Sequence, residues 1–238
     1  MLPMKMLLKH IKNIQIFFLL ISFSVFSQST FEKAEKLYAQ KKYTESEKLF
    51  SEHLKAQPNH ARAIEYLGDI AGHQKDWDAA ITYYKKLKVT SPKNANYWYK
   101  YGGALGMKAK ESNKFKALGM IDKVEESFLT AAKLDSKHIE TRWALVMLYI
   151  ELPAMIGGSE KKAQKYADEL ILLSKVDGYL AKGYIDVYFK RYSKAEVHYK
   201  RAHEIGNSKT TFEKLYDLYL NKLKDKAKAN KLKEQFEK

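Results

Sequence analysis

Residues 66–80 read YLGDIAGHQKDWDAA. Gly68, Ala71 and Gly72 stand where strong helix formers would be expected. Glycine inside a helix costs about 1 kcal/mol relative to alanine, so a helix that keeps two glycines must gain something from them. A position without Cβ lets the backbone approach a neighbour closely, whether a phosphate or a second helix. The related stretch GGALGMK (102–108) lacks the G-x-x-x-x-G-K-[ST] order and opens no helix, which disfavours a phosphate. That leaves a neighbouring helix, or a segment that is not helical at all. The rest of the chain favours helix: 11 Gly and 4 Pro are sparse among 238 residues, and the 17 Tyr recur at helical spacing rather than in alternating runs.

Self-comparison extends this reading. YTESEKLFSEHLKAQPNH (43–60) aligns without a gap on WDAAITYYKKLKVTSPKN (77–94), and Pro58 and Pro92 are 34 residues apart. VEESFLTAAKLDSKH (124–138) and KAEVHYKRAHEIGNSK (194–209) carry the same second-helix pattern. IEYLGDIAG (64–72) matches WYKYGGALG (98–106), with YLAKGYIDV (179–187) a looser copy. Each unit reads as two helices of about a dozen residues joined by a short polar turn.

This pattern resembles the tetratricopeptide repeat (TPR), a 34-residue helix–turn–helix with W-x2-L-G-x2-Y, then A-x3-F and P. Trp98, Tyr101 and Gly102 match its first slots, with Leu105 in place of the tyrosine. Leu67, Gly68, Ala80, Tyr84 and Pro92 match in the preceding copy, and Ala195, Tyr199 and Ala202 in a later one. The fold expected is therefore all-α: an α-solenoid of about five TPR-like repeats at roughly 31–58, 61–92, 95–136, 139–175 and 178–207. One or two basic capping helices follow in 209–238. In this frame the small residue lets the two helices of a hairpin touch, and Tyr84 or Phe128 fills the neighbouring gap.

Two units depart from the period. Pro92 to the equivalent Ser136 spans 44 residues, and the surplus around KAKESNKFKAL (108–118) predicts two lengthened helices, with Ala109, Phe115 and Leu118 continuing an apolar stripe. In ELPAMIGGSEKKA (151–163), Pro153 ends a helix, Gly157 and Gly158 permit unusual backbone angles, and Ser159 caps the next helix.

The N-terminus is read separately. MLPMKMLLKHIKN is basic, through Lys5, Lys9 and Lys12, and is followed by the apolar IQIFFLLISFSVF. This is the layout of a secretory signal peptide, residues 1–27, with cleavage near Ser27–Gln28. A membrane span needs about 20 apolar residues. With no cysteine for disulfides or thiol chemistry, the expected setting is a bacterial envelope: periplasmic or secreted.

Removing the three leader lysines from the formal charge of +15 leaves +12. Only four arginines are present, and lysines alternate with acids along most helices, so nucleic acid is not expected as a partner. Weak attraction to an anionic membrane or polymer remains open. His53, His60, His73, His138, His198 and His203 are scattered, without H-E-x-x-H or metal spacing, so no metal is expected. Ser159 and Lys162 form an S-x-x-K that a lysine-rich chain produces by chance. No nucleophile, base and oxyanion site converge. Neither catalysis nor a cofactor is expected.

The resemblance implies a concave groove lined by first helices. Its slots fall on Glu35 and Tyr38, then Arg62, Glu65, Asp69 and His73, then Asn96, Tyr99 and Met107, and finally Tyr184 and Tyr188. For each tyrosine, packing between repeats is the competing role. The lysine–asparagine clamp of chaperone-binding TPR domains is unmatched, because Glu65 and Asp69 stand in its place. The function expected is an adaptor or scaffold that binds another protein or peptide. The alternatives are an electrostatic binder of anionic membrane surface or polysaccharide, or an accessory subunit of an envelope complex.

Overall fold

A computed structural model describes residues 30–236; the leader expected at 1–27 lies outside the described residues. Twelve α-helices and no strand occur among those residues. They divide into two units, described separately: one up to Pro92, the other from Lys93 on.

The first unit holds α1 (30–39), α2 (Tyr43–Ala56), α3 (Ala61–His73) and α4 (Trp77–Thr90). Local sequence sets the helix ends. The side chains of His60 and Asp76 accept from the N–H groups of Ala63 and Ala79, satisfying donors that the first turn leaves unpaired. Lys41 and Lys75 take positive φ at the hairpin turns, and the following residues, Lys42 and Asp76, donate back to Leu37 and Ala71 carbonyls at 2.9 and 2.8 Å. This back-bonding stops a helix in one residue.

Phe31, Ala34, Phe50, Ala63, Leu67 and Ile70 form the core of this unit. The Phe50 and Tyr66 rings stack with centroids 4.7 Å apart. Buried Ser46 donates through Oγ to the Ala34 carbonyl at 2.8 Å, so its hydroxyl is not stranded. A Cβ on Gly68 would fall 2.5 Å from Cε1 of Tyr84. The glycine is the space that Tyr84 occupies.

The second unit runs α5 (Ala95–Glu111), α6 (Lys114–Leu134), α7 (Ile139–Glu151), α8 (Glu160–Leu173), α9 (Lys175–Tyr188) and α10 (Tyr192–Gly206). It ends with α11 (Lys209–Asp217), a π-turn at Leu218–Lys222 and α12 (Lys226–Phe236). Helices α5 and α6 have 17 and 21 residues, against 13 and 14 in α3 and α4. The ten surplus residues thus lengthen both helices. The apolar stripe does not follow them outward: Phe115 is 89% exposed and Leu118 46%.

Close helix contact recurs in this unit. A Cβ on Gly102 would lie 2.9 Å from the Phe128 ring, and one on Gly183 would overlap the Tyr199 ring. Ser159 caps α8 through the Lys162 N–H, and Gly157 takes φ 102° in the preceding turn. Arg142 is nearly inaccessible. Its guanidinium donates to the carbonyls of Asp135, His138 and Ala132 at 2.7, 3.2 and 3.2 Å, and it meets Glu169 at 3.4 Å. It thereby closes the C-terminal end of α6, where a cation also meets the negative end of the helix dipole. At the far end, Leu215, Leu218, Ala229 and Leu232 bury against Leu180, Tyr199 and Ala202 of the last hairpin, and Phe236 stacks on Phe212 at 4.4 Å. The lysines of α12 face outward, as a terminal element of a repeat array requires.

Candidate partner-binding face

In the first unit, Arg62, Glu65, Asp69 and His73 are spaced three, four and four residues apart, which sets them along one face of α3. Glu35 and Tyr38 approach from α1. Arg62 forms an ion pair with Glu35 and lies over the Phe31 ring, 5.5 Å from its centroid. Tyr38 Oη is 3.4 Å from His73 Nε2, and its ring meets Tyr66 edge-on at 4.8 Å. His73 in turn stacks on Tyr43 at 4.5 Å. Burial, then the negative field of Asp69, pushes the Tyr38 hydroxyl up to about 12, so it stays a neutral donor at ordinary pH.

Asp69 plays a different part from its neighbours. It accepts from Tyr84 Oη at 2.6 Å, which ties α3 to α4. Burial and that carboxylate raise the Tyr84 hydroxyl far above its usual value. Arg62 and His73 are exposed, whereas Glu35, Tyr38, Glu65 and Asp69 are half-buried. The six residues form one lined strip carrying both signs of charge beside aromatic area.

In the second unit, Asn96, Tyr99 and Met107 follow the same spacing on α5, with Gly103 at the slot that Asp69 fills on α3. A Cβ there would meet nothing within 4 Å. Tyr99 packs, with its ring 5.2 Å from His138 and 6.1 Å from Phe128. Met107 is 40% exposed. Tyr184 on α9 donates to Glu151 at 2.9 Å, and half-exposed Tyr188 lies against Phe189. Tyr99 and Tyr184 therefore hold neighbouring helices together, the packing role that competes with groove lining.

A set of polar triads was not legible in the sequence. Glu125 accepts from Tyr149 at 2.6 Å and from Lys162 at 3.3 Å. Glu151 accepts from Tyr184 and pairs with Lys110 at 2.6 Å. Glu196 accepts from Tyr219 at 3.2 Å and from Lys228 at 2.8 Å. Each carboxylate satisfies a phenol and an ammonium brought by different helices, and burial together with the carboxylate raises all three phenols. Only the matching of tyrosine and acid across repeats could have signalled them.

Among the described residues no cluster of three or more His, Asp or Glu side chains is placed to hold a metal ion. None of their helices is long and apolar enough to cross a membrane. Surface depressions run along α8, lined by Glu160, Lys165 and Leu172, and along α6, lined by Asp122 and Lys133.

No protein-family model matches the sequence. Comparison with curated proteins gives no match either. Solved structures do match. TTC0263, a thermophilic TPR protein of Thermus thermophilus, is 16% identical with a TM-score of 0.67, over 82% of this chain and 99% of its own. A TPR protein of Parabacteroides merdae is also 16% identical, with a TM-score of 0.62 over 88% and 78% of the two chains. YrrB, a TPR protein with an unusual peptide-binding site, is 14% identical with a TM-score of 0.52 over 76% and 87%. At such identities the likeness is one of architecture, and the chain has the all-α helical-repeat fold of TPR proteins.

Proposed function

We propose that this chain is an exported, non-catalytic scaffold that binds an extended peptide or a helix of another envelope or secreted protein along the first-helix face. The observation that carries the reading is the α3 strip of Arg62, Glu65, Asp69 and His73, flanked by Glu35 and Tyr38 of α1. Tyr38 supplies rigid contact area at low entropic cost, and the polar groups offer both donors and acceptors to a peptide backbone. The TPR fold supports a role in protein interaction, and YrrB shows that the fold can carry a peptide site. Arg62 and His73 are the residues to change, because both are exposed while Asp69 and Tyr99 also hold the fold.

The test is affinity capture from envelope fractions, comparing the natural chain with the Arg62→Glu, His73→Ala double variant. A stoichiometric protein recovered only by the natural chain, with both chains melting alike, supports the reading. Equal recovery by both, or no stoichiometric protein, overturns it.

A further inference from the structure

Three turns of the second unit are fastened side by side. Lys110, at the end of α5, pairs with Glu151 at the end of α7 at 2.6 Å. Tyr184 of α9 donates to the same Glu151 at 2.9 Å, and Arg191, after α9, pairs with Glu160 at the start of α8 at 2.7 Å. The α5–α6, α7–α8 and α9–α10 turns therefore share one edge.

That edge combines exposed apolar side chains with excess cation. Met155 is 97% exposed, Phe115 89% and Phe189 40%. The segments 110–118, 151–162 and 186–194 contain eight Lys or Arg against four Asp or Glu. Of those four acids, Glu151, Glu160 and Asp186 are already paired with Lys110 or Arg191. Lys114 and Lys116, directly flanking Phe115, are exposed, as are Lys161 and Lys190. An apolar tip between lysines fits a surface with an apolar layer beneath anionic groups. A bilayer has both; an acidic polymer offers only the charge, leaving Phe115 and Met155 in water.

We infer that this turn edge docks on an anionic phospholipid bilayer, with Phe115 and Met155 entering the interface and the surrounding lysines held by lipid headgroups. The site is separate from the α1–α3 strip and stands or falls without it. Each lysine near such a surface strengthens binding by roughly fivefold, and loss of Phe115 weakens it by roughly tenfold.

The chain has no cysteine, so a single introduced thiol can carry a unique environment-sensitive dye. Full chains with Phe115→Cys, Met155→Cys or Leu172→Cys are labelled and mixed with vesicles of phosphatidylglycerol and phosphatidylcholine, or of phosphatidylcholine alone. Leu172 is 86% exposed but lies about 18 Å along α8 from the edge, so it serves as the control. Dye at 115 and 155 is expected to shift to the blue with anionic vesicles and be quenched by spin-labelled lipid, while dye at 172 stays unchanged. The signal is expected to fall when salt shortens the Debye length to about 3 Å, and when Lys114 and Lys116 become Glu. Equal response at all three positions, equal response with neutral vesicles, or no response at 115 and 155 overturns the proposal. So does a shift at 115 that depends on protein concentration without vesicles, which would mean that a second copy covers the edge.

Discussion

The Tyr84 ring occupies the volume that a side chain on Gly68 would need, and its hydroxyl reaches past that contact to Asp69 Oδ1 at 2.6 Å. One residue thus provides both the close packing and the polar tie between α3 and α4. Tyr84→Phe keeps the ring and removes the tie. It should lower unfolding free energy by about 1.5–3 kcal/mol, the cost of losing a hydrogen bond to a charged acceptor, as measured by urea denaturation.

The raised phenols predict loss of stability in alkali. An unfolded tyrosine ionises near 10, whereas Tyr38 holds its proton to about 12, and burial raises Tyr84, Tyr149, Tyr184, Tyr199 and Tyr219 further. Below pH 10 both states are protonated and the terms are silent. Above it the unfolded state releases protons first, so stability must fall as pH rises. Above the histidine range, from about pH 8, urea midpoints should stay level to pH 10 and decline beyond it; a flat profile to pH 12 would contradict the buried, carboxylate-bonded phenols.

Lys41, Lys75 and Lys190 take positive φ at equivalent hairpin turns. The left-handed conformation costs a lysine about 1–2 kcal/mol that glycine does not incur. Lys75→Gly should therefore raise stability by up to about 1 kcal/mol, after the larger entropy of glycine in the unfolded chain is subtracted. Thermal melting of the three single variants checks this.

Arg142→Met removes a buried guanidinium and leaves the carbonyls of Ala132 and Asp135 without that donor. The loss should be about 2–4 kcal/mol, because each buried carbonyl left unsatisfied costs about 1–3 kcal/mol. Arg142→Lys should recover little of it, because an ammonium cannot reproduce the planar fork. Full recovery by lysine in urea denaturation would show that charge alone matters there.

Export predicts a shorter chain in the envelope: N-terminal sequencing should begin at Gln28, while a chain that starts at Met1 would contradict a cleaved leader.

The hairpin frame was legible because it is written locally. Gly68 and Tyr84 sit 16 residues apart, as do Gly183 and Tyr199, and caps such as Asp76 and Ser159 act within three residues. The candidate strip was legible only by slot. The spacing of Arg62, Glu65, Asp69 and His73 gives a common face, but it cannot tell that Asp69 is bonded to Tyr84 or that Tyr99 packs on His138. Glu151 and Arg142 were hidden for a related reason. Their partners Lys110, Tyr184 and Glu169 lie 27 or more residues away and meet them only through helix stacking. Phe115 reads as a continuation of the apolar stripe because periodicity does not report whether a neighbouring helix covers it.

Stacked hairpins brought together by absent side chains are tested most directly by comparing Gly68→Ala with Gly103→Ala, both within helices. A Cβ at 68 collides with Tyr84, whereas one at 103 meets nothing within 4 Å. Urea denaturation should show Gly68→Ala destabilised by about 1–3 kcal/mol through overpacking, and Gly103→Ala stabilised by up to about 1 kcal/mol through helix propensity. Equal shifts of the same sign would contradict the account.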